Sequence, residues 1–306
     1  METRPIGSLW VSVVGLGCNN FGRRLDEAGT SEVVEAALDA GITFLDTADT
    51  YGETRSEEFL GRLLEGRRDR VVLATKFGGR ARSGRGGGAD AASVRRSVEA
   101  SLRRLRTDRI DLYQLHQPYP ETPIEETLGA LDELVQEGKV REIGCSNFTG
   151  RQLREADAAV RPGAARFASV QNELNLLNRD DEDDALPEAE RLGLAYIPYF
   201  PLKSGLLTGK YRRGQPPPEG TRVAGWYGEM RTTWLSDATF DRIEGLERFA
   251  DERGHTLLDL AFAWLLGHRS VSSVIAGATT ADQVRANVAA GKWRLGDQDL
   301  ADVAGL

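Results

Sequence analysis

Eight short runs of apolar, β-branched residues recur along this chain, each followed by a stretch with helical character, and few folds accommodate that order. The runs are "VVGLG" (13–17), "ITFLD" (42–46), "RVVLATK" (70–76), "RIDLYQLH" (109–116), "VREIGCSN" (140–147), "ASVQNE" (168–173), "GLAYIPYF" (193–200) and "SVSSVIAG" (270–277). Between them lie "EVVEAALDAG", which Thr30-Ser31 open and Gly41 ends, then "SEEFLGRLLEG", "AASVRRSVEASLRRL", "IEETLGALDELVQEG", "GRQLREADAAV", "LPEAERLG", "ATFDRIEGLERFADERG" and "TADQVRANVAAG". Val94, Val98, Leu102 and Leu105 recur at helical spacing and predict a core-facing stripe. Continuous apolar strands alternating with helices imply an α/β fold whose parallel sheet is covered by helices. Eight units in 306 residues predict a (β/α)₈ barrel, with a doubly wound sheet as the alternative. A short β segment, "SLWVSVVGLG", precedes the second unit, and a long loop (203–234) follows strand seven.

No linker or shift in composition divides the chain, so residues 1–306 are expected to form a single barrel domain. With 40% hydrophobic and 28% charged residues, the chain has ample core and is neither disordered nor membrane-embedded in character. No apolar run reaches the roughly 20 residues of a spanning helix, and the start lacks a signal-peptide layout. Two cysteines, Cys18 and Cys145, and three histidines make neither a disulfide framework nor a metal-ligand pattern, which suggests a reducing cytoplasm. The net charge of −8 argues against a nucleic-acid partner, and the basic tract 79–90 reads as a flexible solvated loop. The high Arg, Ala and Gly content resembles that of GC-rich bacterial genomes.

In such a barrel the site lies at the carboxyl ends of the strands. Strands two through seven end in Asp46, Lys76, His116, Ser146-Asn147, Gln171-Asn172 and Tyr199, every one able to donate, accept or carry a proton. Asp46, Tyr51, Lys76 and His116 form a coherent quartet for proton transfer to a carbonyl oxygen. A tyrosine acid needs its pKa brought down from about 10, which the Lys76 ammonium is expected to do. Asp46 keeps the lysine charged, and His116 polarises the carbonyl by hydrogen bonding. Each residue alone has a structural explanation: a cap, a surface lysine, a satisfied core histidine, ordinary packing. All four together at strand ends do not. The nucleophile-elbow and phosphate-loop readings fail, because "GCSNF", "GLGCNNFG" and "SGLLTGKY" each depart from the required pattern, and metal chemistry lacks ligands.

The motifs "AGITFLDTADTYG…SEEFLG", "DLYQLHQP", "GKVREIGCSNF", "QNELNLL", "YFPLKSGLLTGKY" and "VIAGATTADQVRANV" resemble, in order and over the whole chain, those of the aldo-keto reductase family. The long loop resembles its bacterial and potassium-channel β-subunit-like branch. The resemblance implies NADPH-dependent reduction of an aldehyde or ketone, with Asp46, Tyr51 (the acid), Lys76 and His116 as the catalytic tetrad. It implies that Ser146, Asn147 and Gln171 hold the nicotinamide carboxamide and that Tyr199 stacks on its ring. Leu202, Ser204, Leu206 and Lys210 would follow the pyrophosphate, and Gly277, Thr279, Gln283 and Asn287 the adenosine. Cys18 and Asn19, at the end of the first strand, join this cofactor-facing set.

Well-known mammalian members carry a Lys-Ser pair where this chain has Gly277-Ala278, and an arginine where it has Gln283. NADPH preference over NADH therefore needs another cation. Lys210 and Arg222 are the candidates, and Arg222 is favoured because the channel-subunit-like branch places an arginine similarly. Trp226, Tyr227 and Trp234 in the long loop are candidates for the substrate pocket, with packing of the loop as the competing explanation. The expected partner is a small carbonyl compound, with no nucleic acid, membrane or metal. A cofactor-binding regulatory protein with little turnover is the competing function.

Overall fold

The computed structural model describes residues 1–79, 87–225 and 233–306. Most of the basic tract 79–90, and Trp226 and Tyr227, thus lie outside the described residues. A hairpin, β1 (Thr3–Ile6) and β2 (Leu9–Ser12), precedes the barrel. The barrel strands are β3 (Val14–Gly17), β4 (Phe44–Asp46), β5 (Val72–Phe77), β6 (Ile110–Leu115), β7 (Val140–Ser146), β8 (Phe167–Gln171), β9 (Ala195–Tyr196) and β10 (Val274–Gly277). All are parallel, in the order β10-β3-β4-β5-β6-β7-β8-β9. The ring closes where Tyr196 bridges Val271, its N–H donating to the Ser270 carbonyl at 2.7 Å. The chain is a (β/α)₈ barrel, as the alternation predicts, and not a doubly wound sheet.

Ile6, Leu9 and Val11 of the hairpin meet Phe44, Ala74, Leu112 and Ile275 from the strands and Ile197 just past β9. The hairpin is therefore the plug of the barrel's amino end, with each side chain contributing about 1.5–3 kcal/mol of burial. That leaves the carboxyl end as the open one.

The helices are α1 (Glu27–Asp39), α2 (Arg55–Leu63), α3 (Ala91–Leu105), α4 (Ile124–Gln136), α5 (Gly150–Ala158), α6 (Ala185–Leu192), α7 (Asp237–Asp251), α8 (Leu257–Gly267), α9 (Ala281–Ala290) and α10 (Asp297–Ala304). The predicted stripe of α3 is buried throughout. Helix α1 begins a turn earlier than Thr30-Ser31 suggest, because the Asp26 side chain accepts the Gly29 N–H and caps it there. Helices α8 and α10 are absent from the periodicity reading. In "LLDLAFAWLLG" nearly every residue is buried, so no polar face marks a helical period. The seventh barrel strand shrinks to two residues, and the chain beyond it turns sharply. Phe200, Lys203, Ser204 and Gly205 all have positive φ (52°, 41°, 56° and 95°), which frees this segment to fold back over the barrel mouth.

Candidate active site

Register places the four proton-handling residues together. Ala74 lies opposite Asp46, so Lys76 stands one pleat further along the same inward face. The Lys76 ammonium has three N–H donors, and all three are directed: to Asp46 Oδ2 at 2.7 Å, the Thr47 carbonyl at 2.8 Å and Tyr51 Oη at 3.3 Å. Tyr51 comes from the loop before α2, which Thr47 Oγ1 and Ser56 Oγ clasp at 2.8 Å. Gly52 is obligatory there: its φ is +58°, and a Cβ would lie 2.4 Å from the Phe21 carbonyl oxygen. His116 follows β6, its N–H on the Phe77 carbonyl at 2.9 Å. Its ring meets Tyr51 edge-on, with centroids 6.0 Å apart.

Burial and charge set the protonation states. Burial alone would strip Lys76 of its proton, but Asp46 and then Tyr51 outweigh it and hold the ammonium above its ordinary range. His116 is pushed down to about 3, first by burial and then by the Lys76 charge, so its imidazole is neutral. Tyr51 departs from the expectation. Burial raises its pKa more than Lys76 lowers it, so the net shift is upward and the phenol stays protonated. Tyr51 is therefore a protonated phenol, not one already tuned to neutrality.

These groups open on a cavity of about 1730 Å³ at the carboxyl ends of the strands. Asp46, Tyr51 and His116 line it, while Lys76 lies behind them. Cys18, Asn19, Ser146, Asn147, Gln171 and Tyr199 line it too. So do Leu202, Ser204, Lys210 and Arg222 from the long loop, and Gly277, Thr279, Gln283 and Asn287 from the last unit. Asn147, at φ 62°, donates through Nδ2 to the His116 carbonyl at 2.9 Å and accepts from Tyr199 Oη at 2.8 Å. Ser146 Oγ donates to the Gln171 carbonyl at 2.7 Å. The Gln171 amide is already engaged, donating to Asp46 Oδ1 at 2.9 Å. Gln283 Oε1 accepts from the Thr279 N–H at 2.8 Å and so braces that loop.

Two candidate residues stand off the cavity wall. Leu206 is 2% exposed and belongs to the hydrophobic core, since the left-handed turn before it rotates it away from the cavity. Trp234 packs against the core beside Lys203, whose ammonium lies 4.5 Å from its ring centroid, and it does not line the cavity.

The sequence reading also missed two features. Arg24 reaches the Gly220 carbonyl at 2.7 Å and joins Lys210 and Arg222 in a cationic edge. Burial, then Arg24 and Arg222, pushes Lys210 down; burial, then Arg24 and Arg23, does the same to Arg222. Arg222 Nη2 is held by Asn20 Oδ1 at 3.2 Å. Like charges converge here without a carboxylate bonded to any of the three among the described residues, an arrangement suited to anions. The "GRRLD" stretch carried the only sequence signal. The second feature is Gln114, whose amide also reaches Asp46; its inward direction follows from standing two residues before His116.

The family model described as "Aldo/keto reductase family" matches residues 13–306. Among curated proteins, the chain is 33% identical over 300 residues to a "Probable voltage-gated potassium channel subunit beta" of Arabidopsis thaliana, covering 95% of this chain and 91% of that protein. It is 34% identical to the "Aldo-keto reductase YhdN" of Bacillus subtilis, covering 95% and 88%. Among solved structures, a glycerol dehydrogenase from Gluconobacter oxydans superposes with a TM-score of 0.85 at 30% identity, covering 99% of this chain and 94% of that one. A barrel of this topology, with an ammonium-linked aspartate and tyrosine at its open end and a family match across nearly its whole length, has one classification: the chain belongs to the aldo/keto reductase family, as an oxidoreductase of that type.

Proposed function

We propose that the protein reduces aldehydes or ketones to alcohols with NADPH, Tyr51 giving the proton. The observation that carries this reading is the unbroken chain Asp46–Lys76–Tyr51, ending in a protonated phenol at the cavity wall beside a neutral imidazole. A nicotinamide dinucleotide, when bound, supplies the hydride. Tyr51 hydrogen-bonds the carbonyl oxygen and transfers its proton as negative charge develops there. Lys76 stabilises the phenolate left behind, and Asp46 holds Lys76 in place. His116, neutral across the working pH range, orients the carbonyl by hydrogen bonding and takes no proton.

The cavity fits such a cofactor. It is long enough to join the tetrad to the cationic edge, and Asn19 Oδ1 is buried along it without a partner. Ser146, Asn147 and Tyr199 are at hand for the nicotinamide, and Arg24, Lys210 and Arg222 for the phosphates. Arg222 is the cation proposed for the 2′-phosphate.

The test is to follow nicotinamide absorbance with a panel of aldehydes, ketones and, in reverse, polyols, since one structural relative is a glycerol dehydrogenase. Turnover with NADPH, unaffected by exhaustive chelation, supports the proposal. Dinucleotide binding without turnover on any substrate would favour the regulatory reading, which the relatives named as channel subunits keep in view. Arg222→Ala is expected to weaken NADPH by about 1.5–3 kcal/mol and NADH hardly at all. Equal losses would remove Arg222 from the 2′-phosphate.

A further inference from the structure

Asp46 has two oxygens, and Lys76 occupies only one. Oδ1 accepts from two amides: Gln171 Nε2 at 2.9 Å and Gln114 Nε2 at 3.2 Å. The two glutamines also meet each other, Gln171 Nε2 lying 3.5 Å from Gln114 Oε1. They differ in what else can reach them. Gln171 is part of the cavity wall, so a bound molecule can compete for its amide. Gln114 is 0% exposed and stands off that wall.

The strands make room for this side chain. Gln114 is the register partner of Lys76 on one side and of Gly144 on the other. A Cβ at Gly144 would lie 3.2 Å from Gln114 Cγ and 2.5 Å from Ser169 Oγ, so glycine there leaves the glutamine its space. A buried amide with no apolar packing role is costly unless both its ends are satisfied. Here one end is spent on a catalytic carboxylate.

We propose that Gln114 is a positioning residue of the reduction site. It holds the second oxygen of Asp46 so that the Asp46–Lys76–Tyr51 chain keeps its alignment when the cavity is filled and Gln171 is drawn to the ligand. The proposal rests on the reductase reading above. Gln114 touches neither substrate nor cofactor and acts only through Asp46. The ionisable groups coupled to the Asp46 carboxylate it contacts are Lys76, Tyr51 and Cys18, with His116 feeling the Lys76 charge.

Two variants test it. Gln114→Leu keeps the bulk and removes the donor. Gln114→Glu offers a donor only while its carboxyl is neutral and repels Asp46 when ionised. Turnover of wild type and both variants is measured from alkaline to mildly acidic buffer, with NADPH affinity read by quenching of protein fluorescence and folding by thermal melting. Loss of one hydrogen bond to a charged group predicts that Gln114→Leu falls about tenfold in kcat, with NADPH affinity within about twofold of wild type. The deficit of Gln114→Glu relative to wild type shrinks as pH falls, while that of Gln114→Leu stays level. Wild-type kcat in Gln114→Leu overturns the proposal. So does a loss of NADPH affinity or melting temperature that accounts for the drop, or a Gln114→Glu deficit that ignores pH. A wild-type protein that binds NADPH but turns over no carbonyl defeats the reductase reading itself, and this inference with it.

Discussion

Asp46 and Asp111 are both buried carboxylates paired with cations, and they sit at opposite ends of the barrel. Asp111, near the start of β6, accepts from Arg68 at 2.6 Å, Arg141 at 3.1 Å and the Leu73 N–H at 2.9 Å. The Arg141 side chain is 47% exposed, so part of that charge is solvated. Asp46 is paired with a lysine whose side chain is 1% exposed and whose remaining donors go to a carbonyl and a phenol. One arrangement ends in solvent and latches a loop to a strand. The other ends at a phenol facing a cavity. Burial and pairing alone do not distinguish them; where the cation's last hydrogen points does.

The comparison can be broken most severely at Lys76. Lys76→Met is expected to leave Asp46 buried without its counter-charge, costing about 3–5 kcal/mol of stability in denaturant titration. It should also cut turnover by at least about a thousandfold, within the upper range of acid–base contributions. A variant that keeps its turnover would mean Tyr51 needs no ammonium.

Tyr51→Phe isolates the chemical end of the relay. It should lower kcat by at least about a hundredfold while melting temperature and cofactor affinity hold. More than a tenth of wild-type turnover under chemistry-limited conditions would remove Tyr51 as the acid.

At the other carboxylate, Arg68→Met should cost about 1.5–3 kcal/mol, as for hydrogen bonds to a charged group, and leave kcat unchanged. A fall in kcat with the fold intact would erase the distinction between latch and relay.

Asp49 sharpens the contrast from a third direction, standing half-buried in the cavity wall with Oδ1 unpartnered. Burial first, then the neighbouring Glu57, raises its pKa from 3.8 to about 7. Between those values the folded protein binds a proton that the unfolded chain does not, so this contribution to stability is lost as pH rises through about 7. His116 acts in the opposite sense. With its pKa lowered from 6.5 to about 3, it makes stability fall as pH drops through that window, by up to about 1.4 kcal/mol per unit. Asp49→Asn should therefore be more stable than wild type in mildly alkaline buffer, by on the order of 1 kcal/mol, and should steepen the loss on acidification. Identical pH–stability curves would show that Asp49 is charged in the folded protein.

Much of the site was legible because strand ends and loop lengths are sequence properties. "FLD", "ATK" and "QLH" announce inward polar residues at the carboxyl ends of apolar runs, and three of the four proposed tetrad residues emerge directly from them. The departures have identifiable reasons. Leu206 comes after a left-handed turn that a string of residues such as "KSGLLTG" does not announce. Helix α8 hides because burial on all sides erases its period. The direction of the Tyr51 shift needed the depth of the phenol, which outweighs the ammonium beside it.

The sequence by itself determined the eightfold alternation, the end of the barrel at which polar residues collect, and the candidacy of Asp46, Tyr51, Lys76 and His116, because periodicity and residue chemistry are local. Only the tertiary structure decided that Gln114 and Gln171 share an oxygen of Asp46 and that Arg24, Lys210 and Arg222 converge on one edge. It also decided that the tyrosine rests as a protonated phenol. Those outcomes depend on distances between residues far apart in the chain and on how much water closure of the barrel leaves around them, and neither is written in any single stretch of residues.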